Sequence, residues 1–357
     1  MNRKKIIITL VALIAIFFDC FGQNWNSKEL EDSIDSYLNP LIVSHSFMGS
    51  ILIAKGDSIL FLKSYGYANL EHFVPNSSNT IYRIGSMTKQ FTATAIMLLA
   101  EENKISVESK LSDFIPDYPN GNRITVHHLL THTSGIPNYT KLPDYESTMC
   151  LPASLTDLIG RIKNLPLEFE PGSKFKYSDS GYLLLTYIIE KASGLTYSEF
   201  LDKHIFQPLG MNYTGYDNKK IIKNRASGYS ILKESNEIVN ADYIDMSVPQ
   251  GAGGLYSTVL DLYKWDRSFY TDFLLSKESK EKMFTFYIAE YGYGWGREIR
   301  ENGRISIGHN GMINGFLSII HRFVADNTVI VILANTDNFE VNNIFNQIPA
   351  IYFMENE

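Results

Sequence analysis

Cysteine is scarce in this 357-residue chain, with only Cys20 and Cys150, too few for a disulfide-stapled framework. Broad positive charge is also lacking. Lys and Arg number 32 against 39 Asp and Glu, a net charge of -7, which offers nucleic acid no broad attraction. Gly and Pro together make only about a tenth of the chain and no fixed-period repeat occurs, which excludes a fibrous or low-complexity protein. After the first twenty-odd residues no apolar run approaches the length of a membrane span. What is present is a chain 45% hydrophobic and 20% charged, which can bury a sizeable core and is not disordered.

The amino-terminal stretch stands apart. Arg3, Lys4 and Lys5 precede the apolar run Ile6 to Phe18, and Cys20 and Gly22 are small enough to flank a signal-peptidase cut before Gln23. Residues 1–22 are therefore expected to be a signal peptide, removed to leave a domain with no stable membrane span, located in the periplasm or secreted. An uncleaved anchor and lipid attachment at Cys20 are the alternatives. Bulky Phe17 and Phe18 and the neighbouring Asp19 make poor surroundings for a lipid-processing site.

Along residues 23–357, taken as one catalytic domain, the periodicity predicts strands at both ends and helices between. Ser27 to Leu38 reads as a short amphipathic helix, and Met48 to Ala54 and Ser58 to Ser64 as a hairpin turning at Gly56-Asp57. From Ser86 to about Asn103 the period becomes helical, apolar enough to be buried. The proline-punctuated middle carries helical candidates at Ser154 to Ile162, Ser180 to Ala192 and Ser198 to Ile205. Val259 to Phe269 reads as a helix. Arg304 to Gly308, Gly315 to Val324 and Thr328 to Leu333 read as strands, and Val341 to Phe353 as an amphipathic closing element. The expected fold class is α/β, an α+β sandwich. An antiparallel sheet is built from about residues 30–105 and 250–357, flanked by helices, with a mainly helical lobe inserted at about 106–249. A cleft between the lobes is the natural place for chemistry.

The sharpest local signal is Ser86-Met87-Thr88-Lys89 at the start of the buried helix. Residues three apart share a helix face, so the Lys89 nitrogen can reach the Ser86 hydroxyl, and a desolvated lysine can take a serine proton. The bland alternative is an N-cap serine with a solvent-facing lysine. Two distant companions raise its value. Tyr177-Ser178-Asp179 precedes a helical run and follows Pro171-Gly172, and His309-Asn310-Gly311 follows Ile305 to Gly308 at a strand end, where glycine lets a substrate approach the backbone. A nucleophile, two proton movers and a polar wall fit acyl transfer through a serine ester.

With these motifs the sequence resembles the serine β-lactamase and penicillin-binding-protein superfamily, in the branch of class C β-lactamases, D-alanyl-D-alanine carboxypeptidases, D-aminopeptidases and related esterases. The resemblance extends through the run His128 to Gly135, Pro208-Leu209-Gly210-Met211, Gly251 to Leu255 and Gly308 to Gly311, covering about residues 30–350. It implies Ser86 as acyl-accepting nucleophile, Lys89 as its activating partner and Tyr177 as proton shuttle. It implies an oxyanion hole of the Ser86 and Met312 backbone N–H groups. Asp179, His309, Asn310 and Gly311 would border the substrate, His309 orienting its carboxylate or leaving group. Whether lysine or tyrosinate is the initial base stays open, since the pair titrates as a coupled system. Two departures matter. Asp179 stands where the family usually has asparagine, replacing an amide donor by an acceptor, and His309 replaces the lysine of many β-lactamases, giving an uncertain charge near neutral pH.

Other tempting residues have plainer readings. His127, His128 and His132 lack zinc-site spacing and read as hydrogen-bonded structural histidines, so no metal is expected. Cys150 has no matched base and reads as a partly buried or incidental thiol. Gly251 to Gly254 reads as a tight turn bordering the cleft, and Trp295 as either a groove or a core aromatic. The leading expectation is an exported serine hydrolase resembling a D-alanyl-D-alanine carboxypeptidase. It needs no cofactor and takes a small acyl substrate, such as a peptidoglycan-derived peptide or ester. A carboxylesterase or weak β-lactamase, and a sensor domain that acylates without turnover, are the alternatives. The oligomeric state is not readable from the sequence.

Overall fold

The computed structural model describes residues 27–354 except 219, 233, 301, 302 and 339, with only the backbone for 340–342. The expected leader and its cleavage point lie outside the described residues. Six antiparallel strands form the central sheet: β1 (Gly49–Lys55), β2 (Ser58–Tyr65), β3 (Gly296–Ile299), β4 (Ile305–Ile313), β5 (Phe316–Phe323) and β6 (Thr328–Ala334), in the order β3-β4-β5-β6-β1-β2. β1 and β6 pair over seven residues, Gly49 with Ala334 through Lys55 with Thr328. This pairing joins the two ends of the chain. Both strands are buried on both faces, which explains their unbroken apolar runs. The β1–β2 turn places Gly56 at φ 56 and the β4–β5 turn places Gly315 at φ 77, conformations that glycine adopts without steric cost.

The back of the sheet is covered by helix α1 (Ser27–Val43) and by the last helix, Glu340–Phe353. Leu30, Ile34 and Leu38 repeat every four residues along α1 and pack with Ile51, Ile319, Ile332, Ile344 and Ile348. That spacing makes one continuous helix face. The front carries α2 (Thr88–Glu101) and α4 (Val259–Ser268), between which α3 (Asp179–Ser193) comes from the inserted lobe; the terminal helix is thus α5. Phe91 on α2 stacks on Trp265 of α4 with ring centroids 4.2 Å apart. α2 is buried nearly all round, since sheet and helical lobe meet across it.

The inserted lobe holds short helices at Val126–Leu130, Leu155–Lys163 and Tyr197–Leu201. Their N-caps Thr125, Ser154 and Thr196 each accept a backbone N–H from the first turn. α3 ends at Gly194, in the left-handed conformation that caps helices. Three differences from the sequence reading stand out. α1 continues five residues past Leu38 to Val43, through Pro40. β3 was not foreseen. β4 does not stop at Gly308 but runs through His309-Asn310-Gly311 to Ile313, paired throughout with β5.

Candidate active site

Ser86 lies on a 3-10 turn, Gly85–Met87, that feeds directly into α2. The turn is pressed against β4 backbone to backbone, and two glycines make this possible. Gly85 sits at φ 48, and a β-carbon there would lie 2.7 to 2.8 Å from the oxygen, carbon and nitrogen of Met312. A β-carbon on Gly311 would lie 1.9 Å from the Ile84 oxygen. This corrects the reading of the His-Asn-Gly run. It is inside the strand rather than at its end, and Gly311, which lines the cleft, also admits the chain leading into Ser86. The consequence is chemical, because the Met312 amide is fixed beside the Ser86 turn, a geometry suited to a pair of oxyanion-binding N–H groups.

One turn beyond Ser86, as the second residue of α2, the Lys89 side chain is fully buried. Its nitrogen donates to Ser86 Oγ at 3.2 Å, to Asp179 Oδ1 at 2.7 Å and to the Ala252 carbonyl at 2.8 Å. Three acceptors match the three N–H bonds of an ammonium. A solvent-facing lysine is therefore ruled out. Ala252 belongs to a one-turn helix, Gln250–Gly253, so the tight turn read from the glycines is helical and does border the cleft. Gly251 lets that helix touch α3, since a β-carbon there would meet Thr186 Oγ1 at 2.3 Å.

Asp179 is the first residue of α3, where a carboxylate also meets the positive end of the helix dipole. Its second oxygen accepts from Asn138 Nδ2 at 3.1 Å and Thr140 Oγ1 at 3.3 Å. The carboxylate is thus committed to the protein. Burial pushes its pKa up, but the Lys89 ammonium and the hydrogen bonds from Lys89 and Asn138 outweigh this and hold it below the ordinary value. Lys89 is also lowered, by complete burial, against the opposing pull of Asp179. Tyr177 moves the other way: burial, aided by the Asp179 charge, holds its phenol well above the ordinary range. Its hydroxyl is buried beside Ser86, whose side chain opposes the upward shift through a hydrogen bond. The Lys89 nitrogen lies 4.8 Å from the centre of its ring.

His309 faces the opposite wall. Its Nδ1–H donates to the Asn310 carbonyl at 2.6 Å, and its Nε2 accepts from the Tyr291 hydroxyl at 2.9 Å. Burial, then the nearby Lys89 charge, lowers its pKa to about 4. That direction favours a neutral ring near pH 7. Asn310 is exposed at the same edge.

The cleft extends in two directions from Ser86 and Tyr177. One arm, about 540 Å³, runs past Tyr291, Arg297 and His309. The other, about 1090 Å³, runs past Asn138, Tyr145, Asp179 and Tyr243. Cys150 lines this second arm and is exposed rather than partly buried. Trp295 is fully buried in the core and lines neither arm.

His127 Nδ1 pairs with the Tyr293 hydroxyl at 2.8 Å, and His128 Nδ1 accepts from the Thr125 N–H at 3.2 Å. Both serve structure. Sequence reasoning missed Tyr291, Asn138 and the Ala252 carbonyl. Tyr291 is one tyrosine among 22, and only the fold brings it to His309.

Comparison with known proteins places this geometry. The β-lactamase family pattern matches residues 44–347. A penicillin-binding protein of Bacillus subtilis (strain 168) is 33% identical over 320 residues, 82% of this chain and 69% of its own. The teichoic acid D-alanine hydrolase of Staphylococcus aureus is 30% identical over 242 residues, 67% of this chain and 58% of that protein. The octameric penicillin-binding protein homologue of Pyrococcus abyssi superposes with a TM-score of 0.77 at 33% identity, covering 87% of this chain and 74% of its own.

Proposed function

This chain belongs to the β-lactamase family of serine-hydrolase-fold enzymes, and on that premise we propose that it is an exported hydrolase that cleaves D-amino-acid-derived acyl compounds through an ester on Ser86. The observation that carries this reading is the buried Lys89 nitrogen, 3.2 Å from Ser86 Oγ and 2.7 Å from Asp179 Oδ1. Export rests on the leader-like Arg3 to Gly22 segment.

Opposite displacement of two neighbouring pKa values favours Lys89 as the base and Tyr177 as the acid. In its neutral form, which burial favours, Lys89 takes the Ser86 proton, while Tyr177, raised by burial, keeps its own. Ser86 Oγ then attacks the acyl carbon, and the Ser86 and Met312 N–H groups receive the oxyanion. Tyr177 gives its proton to the departing oxygen or nitrogen and regains one from Lys89. The bond to the leaving group breaks and the acyl-serine remains. Water then attacks that ester, its proton passes back along the same groups to Ser86 Oγ, and the acid is released. Each preorganised oxyanion donor contributes about 3 kcal/mol to such a transition state.

Peptides ending in D-alanyl-D-alanine are the first substrate class, by analogy with the penicillin-binding-protein relatives. D-alanyl esters are the second, and Asp179 favours them. Held ionised, it only accepts hydrogen bonds and has none to donate to a substrate amide carbonyl, and an ester needs less help with its leaving group. Release of D-alanine from N-acetyl-D-Ala-D-Ala and from a D-alanyl ester, each compared with Ser86→Ala, tests the reading. Ser86-dependent release from either is the expected result. A folded protein that cleaves neither and forms no covalent Ser86 adduct would overturn it.

A further inference from the structure

His132 takes no part in the chemistry described above, yet it is held at a cost. It is 2% exposed and its backbone adopts φ 57, a left-handed conformation unfavourable for most side chains. Its Nδ1 accepts the Ser178 N–H at 3.1 Å, so the proton of the neutral ring is on Nε2. That N–H is buried without a hydrogen-bond partner among the described residues. An apolar residue would avoid the unpaired N–H, and an asparagine would suit the backbone better.

What the imidazole touches accounts for both costs. The His132 carbonyl accepts the Lys176 N–H at 3.0 Å, and its Nδ1 accepts that of Ser178, so the two bonds bracket Tyr177 in the chain. The ring itself lies against Tyr177 with centroids 4.3 Å apart and planes at 36°, and Tyr291 packs against it at 4.8 Å. Two residues beyond Tyr177, Asp179 begins α3 and binds Lys89. Burial, then the charge of Lys89, holds the imidazole well below its ordinary pKa, and the acceptor role of Nδ1 requires that neutral form.

We propose that His132 is a positioning residue that fixes the backbone on either side of Tyr177 and, through its ring face, aims the phenol at Ser86. This rests on the serine-hydrolase reading above. Orientation of a proton donor is sensitive to displacements of about 1 Å, which can cost 100-fold in rate.

The test is a double-mutant cycle on hydrolysis of a p-nitrophenyl ester, with the rate of Ser86 labelling by a fluorophosphonate as a second readout. His132→Leu is expected to lower kcat roughly 10- to 100-fold with KM little changed. His132→Asn suits the left-handed backbone and keeps an acceptor for Ser178, so it recovers part of that loss. In a Tyr177→Phe background, where no phenolic proton remains to be aimed, neither substitution has a further effect. Equal losses with and without Tyr177, or no loss in kcat, would overturn the assignment. If His132→Leu fails to fold, the His132→Asn arm of the cycle distinguishes the same two outcomes. Absence of Ser86 labelling in the wild type would instead sink the underlying serine-hydrolase reading, and this inference with it.

Discussion

Asp179 Oδ1 lies 2.7 Å from the Lys89 nitrogen inside the fold, so this carboxylate acts directly on the lysine. Two protein donors occupy its other oxygen. The effect on the base has a definite sign. A neighbouring carboxylate favours the ammonium and so raises the Lys89 pKa, opposing the lowering by burial.

Asp179→Asn removes that opposition. The Lys89 pKa should fall further, and a larger fraction of the amine should be free to accept the Ser86 proton in acid. The acid limb of the kcat/KM profile is therefore expected to move to lower pH, raising activity at about pH 5 relative to about pH 8. An unmoved limb would mean that Lys89 is not the group titrating. Conversely, Lys89→Met should abolish acylation and leave Asp179 buried without its cation, a loss of roughly 3 kcal/mol in denaturant unfolding.

Gly311 makes a second prediction. A methyl group at this position would fall 1.9 Å from the Ile84 oxygen and 2.4 Å from Ser318 Oγ, so β4 and the Ser86 turn must separate. Gly311→Ala should displace the Met312 amide and lower kcat roughly 100- to 1000-fold, the range for losing one oxyanion donor. Gly160→Ala is the matched control. It lies in the Leu155–Lys163 helix with nothing within 4 Å of the new carbon, and it should leave kcat unchanged and add up to about 1 kcal/mol of stability. Equal activity in both variants would separate the oxyanion site from Met312.

These cases show which features were legible beforehand. Local periodicity located α2, α3, α4 and the β1–β2 hairpin to within a few residues, because their apolar faces follow helix or strand spacing. The Ser86, Lys89, Tyr177 and His309 motifs carried enough residue identity to be read directly. What was not legible depends on contacts distant in sequence. The carbonyl of Ala252 binds Lys89 across 163 residues, and a backbone oxygen has no residue-specific signature. Tyr291 reaches His309 only because β3, a four-residue strand with weak alternation, folds the preceding turn over β4. The end of β4 was misplaced for a related reason. His-Asn-Gly has the composition of a turn, but pairing with β5 overrides that local preference.

His321 yields a prediction on stability against pH. It is 8% exposed, and burial, then the neighbouring Arg300 charge, lowers its pKa from 6.5 to about 4. The unfolded chain therefore takes up a proton that the native state refuses between about pH 6.5 and 4. This contribution is complete above about pH 6.5 and declines as the pH falls, by up to about 3 kcal/mol. His309 shifts in the same direction. His321→Leu should flatten the fall in Tm across that window, with roughly one proton fewer taken up on unfolding at about pH 5. An unchanged slope would place the acid sensitivity elsewhere.

The last prediction concerns a buried ion pair outside the cleft. Arg322 Nε donates to Asp266 Oδ1 at 2.6 Å, with both side chains almost completely buried. The guanidinium is surrounded by Phe269, Phe284 and Trp295, each 5.0 to 5.5 Å from its carbon. The rings attract a cation, but they cannot replace a carboxylate. Asp266→Ala should therefore cost roughly 3 to 5 kcal/mol in denaturant unfolding. Arg267 also binds Asp266, through Nε at 2.7 Å, but it is partly exposed and can turn to solvent, so the penalty arises at Arg322. The double variant Asp266→Leu with Arg322→Met removes both buried charges and should recover most of the loss, since a well-packed apolar pair is often as stable as the ion pair it replaces. Failure of the double variant to recover would assign the cost to the altered packing around Trp295 rather than to an unpaired charge.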